Sequence, residues 1–177
     1  KVLRETAAAF ADGLELNFWA DMFIRAVIRE ELLMEMLRNG IDVDIFGHGW
    51  EKFVEKCGNV EKSEVRFKGK INICGEVDYR QLPELYADTK IALNVLPWFK
   101  AGQHDRIALA MCNGCVCVTD ESTYLEKKFV DGENIFMYSL EDMTGAAMLV
   151  RDLLAHPLEA ARAAANGYVC AVSSRSF

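Results

Sequence analysis

The six residues Ala101-Gly102-Gln103-His104-Asp105-Arg106 combine types suited to holding an anion. They precede an apolar run, "IALAMC", that reads as a helix. Gly102 permits close backbone approach. The helix that follows turns free N–H groups and a partial positive charge toward whatever sits above it. His104 and Arg106 can add donors, and a guanidinium matches phosphate geometry. Asp105 suits the first turn of a helix, where a carboxylate offsets the dipole. A plainer alternative stays open: Asp105 as a cap-type residue and Arg106 as its ion-pair partner. Three further turns carry glycine or polar groups: Gly47-His48-Gly49, Gly75-Glu76-Val77 and Asp120-Glu121. Each follows a short apolar run. The first is an incomplete G-x-G-x-x-G, a weak phosphate signature on its own.

The elements that position these turns alternate between strand and helix. Helical spacing of Trp19, Phe23, Val27, Ile28, Leu32, Met36 and Leu37 predicts a helical, core-facing segment to Arg38, with Gly13 dividing a short first helix from a long second one. Asn39-Gly40 is a C-cap signal. Ile41–Phe46 predicts a strand and Trp50–Lys56 a helix. Val65–Phe67 and Ile71–Cys74 read as extended. Asp78 caps a short helix with Pro83 early in its body, running to about Ala87. Lys90–Leu96 is a strand ended by Pro97. His104–Asn113 is a helix closed by Gly114, and Cys115–Thr119 is a strand. Ser122–Lys128 is a helical turn or short helix, and Ile135–Tyr138 a short strand. Ser139 is read as the cap of a helix to Ala155, and Pro157 as the start of another to about Ala165. The pattern predicts an α/β fold with a mostly parallel, Rossmann-like sheet and helices on both faces. Ligands in such sheets bind outside the carboxyl ends of the strands, where all four turns fall.

Composition narrows the function. The 177 residues suit one domain, and a net charge of −7 argues against a general nucleic-acid binder. No apolar run is long enough to span a bilayer, and no signal peptide is evident. The chain opens at Lys1 in helical pattern without Met, which points to a piece of a longer or processed protein. The six cysteines, Cys57, Cys74, Cys112, Cys115, Cys117 and Cys170, read as reduced, mostly buried thiols of a cytoplasmic protein. Cys112-Asn113-Gly114-Cys115 has metal or redox spacing. It lacks a second ligand pair, however, and straddles a helix end rather than opening a helix.

From about Asp42 to Tyr138 the chain resembles the C-terminal, donor-binding half of GT-B glycosyltransferases. It is most similar to the group 1 type allied to spore-maturation and spore-coat proteins. The residues that carry this are "VDIFGHGW" at 43–50, "GEVDYRQLPELYADTKIALNV" at 75–95, "AGQHDRIALAMCNGCVCVTDE" at 101–121 and "FVDGENIFMY" at 129–138. The resemblance implies one nucleotide-sugar-binding domain over 1–177: a helical segment at 1–40, an α/β core at 41–138 and terminal helices at 139–177. It also implies an N-terminal acceptor domain that these 177 residues do not include. It implies a nucleotide-diphosphate sugar as donor substrate, with no resident cofactor and no metal. The base would lie by Gly75-Glu76-Val77 and the diphosphate by Gly102-Gln103-His104, stabilised on departure by His104 and Arg106. Gly47-His48-Gly49 would also face the donor. Asp105, Asp120 and Glu121 complete the candidate set.

The sequence departs from this family pattern at two positions. The family's ribose-holding Glu is Leu109 here, and the partner Glu of many retaining members is Ala101. Asp105 lies one turn before Leu109 on the same helical face and is the candidate substitute. Two alternatives follow: a non-catalytic nucleotide-sugar-binding module, or a GT-B-like nucleotide-sugar epimerase.

Overall fold

The computed structural model describes residues 2–60 and 67–173. The elements follow in chain order: α1 (Val2–Arg38), β1 (Val43–Phe46), α2 (Glu51–Val60), β2 (Ile71–Gly75), a 3₁₀ turn (Tyr79–Gln81) leading into α3 (Leu82–Asp88), β3 (Ile91–Asn94), α4 (Asp105–Cys112), β4 (Val116–Asp120), β5 (Phe136–Tyr138), α5 (Met143–Ala155) and α6 (Pro157–Ser173). All strand pairs are parallel, as the alternating pattern requires.

The strands form two sheets rather than one. β1 pairs with β2, and β3-β4-β5 form a second sheet in that order. The two are joined by side chains. Val43 of β1 packs against the same cluster as Ile91 and Leu93 of β3, Val116 and Val118 of β4, and Leu32 and Met36 of α1. Burial of shared apolar surface replaces the missing ladder.

Alternation along β4 defines the two faces of the larger sheet. Val116 and Val118 face α1 and α5. Cys117 faces the other way, onto Ile107 and Met111 of α4 and Ala171 of α6. Every residue of β4 is buried.

Several boundaries differ from the sequence pattern. Gly13 does not divide α1, which is continuous. One glycine costs a helix only about 1 kcal/mol, and Gly13 sits in an alanine-rich first half. The stripe on α1 is core only at its C-terminal end. Leu32, Met36 and Leu37 are buried, whereas Trp19 and Phe23 are exposed. A 37-residue helix is about 55 Å long. The adjoining four-residue strand spans roughly 13 Å, so the first half of α1 runs past it.

Asn39-Gly40 ends α1 as the sequence predicts, with Gly40 at φ 80°. Ser139 does not cap α5. Its Oγ accepts from Glu141 N–H in a preceding turn, and Asp142 is the cap, accepting from Gly145 N–H at 2.8 Å. α6 continues past Ala165 to Ser173 because Ala163, Ala164, Gly167 and Ala171 form a buried small-residue face. Of the extended segment expected at Val65–Phe67, Val65 and Arg66 lie outside the described residues, and Phe67 is not in a strand.

Candidate functional site

The 95–104 segment between β3 and α4 is lashed to the end of β4. Asp120 Oδ1 accepts from Leu96 N–H and its Oδ2 from Lys100 Nζ, both at 2.6 Å. Lys100 Nζ also donates to the Glu121 carbonyl at 2.7 Å. The Ser122 hydroxyl lies 3.0 Å from the Lys100 carbonyl and 3.1 Å from that of Gly102. Thr123 Oγ1 donates to the Lys100 carbonyl at 2.8 Å. Asp120 is only 2% exposed, so this candidate binding residue acts inside the protein by fixing the loop. Glu121 is exposed beside it.

Gly102 has no positive φ, and its lack of a side chain serves a neighbour. A Cβ there would meet two atoms of the Phe99 ring at 2.5 Å. The close approach that glycine permits at this position is therefore made by Phe99. Gln103 turns inward: its Oε1 is buried without a hydrogen-bond partner, as is Oδ1 of Asn94. Both residues line a water-sized cavity together with Thr119, Asp120 and Ser122.

His104 is the N-cap of α4. Its Nδ1 accepts from Arg106 N–H at 3.3 Å and from Arg106 Nε at 3.2 Å. The Asp105 carboxylate also lies against Nδ1, an arrangement that would favour a charged ring. Burial and the nearby Arg106 outweigh it and hold the His104 pKa below its ordinary value. Arg106 is half-buried and Asp105 exposed. His104 and the Arg106 guanidinium stand at the start of α4, at the carboxyl edge of the larger sheet, where the helix dipole adds partial positive charge.

The smaller sheet contributes a second group. Gly47 N–H donates to the Gly75 carbonyl at 2.8 Å, so the turns after β1 and β2 lie side by side. Gly47, Gly49 and Gly75 have φ of 108°, 82° and 75°, values that require glycine. The exposed His48 imidazole meets the Glu76 carboxylate, and Val77 is half-buried next to it. The structure thus brings Gly47-His48-Gly49 together with Gly75-Glu76-Val77, and Ala101–Arg106 with Asp120-Glu121. No hydrogen bond or ion pair joins the two groups among the described residues.

The cysteine expectation holds in part. Cys57, Cys115 and Cys117 are buried, but Cys74 and Cys112 are exposed. Burial pushes the Cys115 thiol up to about 12, which opposes thiolate chemistry at the Cys112–Cys115 spacing. Sequence reasoning missed Lys100, which anchors the loop and which no motif marks. No described helix is long and apolar enough to cross a membrane.

Residues 25–175 match the family described as glycosyl transferase-like. No curated protein matches by sequence. Among solved structures, the chain is similar to Anabaena HepE in complex with UDP-glucose, with a TM-score of 0.61 and 16% identity over 79% of this chain. It spans 39% of HepE. It is also similar to the C-terminal domain of a glycosyl transferase group 1 family protein, LpcC, from Francisella tularensis. That match has a TM-score of 0.64 and 17% identity over 81% of this chain and 77% of the other. Sucrose-phosphate synthase from Thermosynechococcus elongatus gives a TM-score of 0.61 and 15% identity over 81% and 37%. Parallel strands flanked by helices, and a sequence match over most of the length, lead to one conclusion: the chain belongs to the glycosyl transferase-like family.

Proposed function

We propose that this chain is the nucleotide-sugar-binding half of a glycosyltransferase, which transfers a sugar from a nucleotide-diphosphate donor to an acceptor held by a second, N-terminal domain. The observation that carries the reading is the α4 N-terminus. There the His104 cap and a half-buried Arg106 stand at the positive end of the helix dipole, at the carboxyl edge of the strands. A departing diphosphate gains charge as the bond from the anomeric carbon to its oxygen breaks. Fixed donors at that point stabilise it without reorganising. The Arg106 guanidinium supplies such donors beside the His104 ring. The turn Gly75-Glu76-Val77 would lie by the base, and Gly47-His48-Gly49 beside it would also face the donor. In this reading the donor is a substrate and no resident cofactor is needed. The cytoplasm, where thiols stay reduced, is the setting that suits it.

The second reading, a binding module without turnover, is favoured by Leu109 and Ala101, which stand where the related family places carboxylates. Calorimetric titration with UDP, GDP, ADP and CDP tests the common part. Binding of one of them supports both readings, and binding of none overturns both. A transfer and hydrolysis assay on the protein with its second domain then separates them: turnover supports the enzyme, and binding without turnover supports the module.

A further inference from the structure

Helix α6 has two apolar faces, and the body of the protein uses one of them. Ala163, Ala164, Gly167 and Ala171 are buried. Ala171 packs in the cluster of Ile107 and Met111 of α4 and Cys117 of β4, and Gly167 lies against Met111. On the other side Leu158, Ala161, Ala165, Tyr168 and Val172 are all exposed. They follow one another in steps of three, four, three and four residues. That spacing is the seam of a helix pair, narrower than the stripe by which a helix lies on a core. Exposed Val169 adjoins it. The polar residues within this span, Glu159, Arg162 and Asn166, keep to one flank and leave the seam uncharged.

A surface helix ordinarily turns a polar side to water. Here the outward side is apolar over two heptads, a length of about 21 Å. Leu158 is 86% exposed, Val169 60%, Val172 58% and Tyr168 46%. With the two alanines they leave on the order of 500 Å² of apolar surface open, near the upper end of what a lone monomer shows.

The seam is complementary to itself. Two copies turned antiparallel about a two-fold axis bring the same patch together and oppose their helix dipoles. Ala161 then faces Ala165 of the second copy, and Leu158 faces its Tyr168. Small residues at the centre let the two helices approach closely, and the larger ones close over the ends. The pairing would cover roughly 1,000 Å² in all, the small end of specific interfaces, which sets its strength in the micromolar range. We propose that α6 pairs two copies of this chain through the seam of Leu158, Ala161, Ala165, Tyr168 and Val172. None of these residues belongs to the donor site, so the pairing stands apart from that reading.

The test is analytical ultracentrifugation of the chain between about 1 and 100 μM, the span around a micromolar dissociation constant. Reducing conditions keep exposed Cys74 and Cys112 from linking copies. The mass should rise from 19.9 kDa toward twice that value and stop there, because a two-fold pair is closed. Ala165→Glu and Tyr168→Glu put a carboxylate into the seam and should each weaken the dimer by about tenfold or more. Phe23→Glu, on the exposed stretch of α1, should dimerise as wild type. Circular dichroism and thermal unfolding check each fold. If either seam variant does not fold, Leu158→Glu at the most exposed position decides in its place. A wild-type chain that stays monomeric at about 100 μM overturns the proposal and leaves the seam to a different partner. So does a dimer that survives the seam variants, and loss on Phe23→Glu in their stead would move the contact to α1. Growth beyond two copies also overturns it, because unspecific adhesion does not close.

Discussion

Asp120 Oδ2 lies 2.6 Å from Lys100 Nζ, and this contact across the end of β4 holds the loop in front of α4. The carboxylate is buried while the ammonium is partly exposed, so the pair acts as an anchor rather than as a surface bridge. Removing the carboxylate leaves Leu96 N–H and Lys100 without their acceptor. Asp120→Ala should therefore cost about 2–4 kcal/mol in urea unfolding and should also weaken nucleotide binding, because the loop that carries His104 loses its hold. Unchanged stability would show that the anchor is dispensable.

Two glycines should respond differently to the same change. A Cβ on Gly69 would lie 2.1 Å from the Ile41 carbonyl oxygen, a backbone atom that cannot step aside. A Cβ on Gly102 would meet the ring of Phe99, which is half-exposed and can turn. Gly69→Ala should cost about 3 kcal/mol and Gly102→Ala less than about 1, read from denaturation midpoints. The reverse order would contradict the geometry.

His104 makes stability depend on pH. Its pKa is lowered in the fold by burial and by Arg106, so the unfolded chain binds the proton more readily. The stabilising difference is intact above the unfolded value of about 6.5 and is lost as pH falls below it. The exposed His156, raised by Asp152, acts in the opposite direction. The comparison is therefore between wild type and His104→Gln. Their melting temperatures should run parallel above about pH 7 and converge or cross below about 6.5, with wild type falling faster. Parallel curves throughout would remove the effect.

Asp105 is exposed on the first turn of α4, one turn before half-buried Leu109 on the same face. If it takes over ribose binding, Asp105→Ala should weaken UDP by about tenfold, but not 2′,3′-dideoxy-UDP. Equal UDP affinity for Asp105→Ala and wild type would exclude that role.

The sequence made the order of elements legible because apolar period and punctuation agree along most of the chain. Gly40, Asp78, Pro83 and Gly114 all mark real boundaries. It failed where two local signals competed or where tertiary packing decided. Ser139 and Asp142 are both good caps, and only the turn that engages Ser139 selects between them. Helix α6 was expected to end near Ala165, yet it runs on through Gly167, where a Cβ would lie 2.7 Å from the Asn134 carbonyl oxygen, so that glycine lets α6 pack closely. Within the site, the glycine turns and the α4 cap follow from local spacing. Lys100 does not, because its partner lies far along the chain, at Asp120. Gln103 was a plausible ligand contact by type, but its amide oxygen is buried.

The gap between the sheets has a mechanical consequence. No main-chain ladder crosses from β1 to β3, so the β1–β2 half can open without breaking the β3-β4-β5 half. Amide hydrogen exchange should divide the protein into two cooperative units along that line. The half held by Val43 and its neighbours should exchange sooner than the buried strand β4. A ligand gripping both sides would clasp the halves together, and its binding would register first as slower exchange in β1.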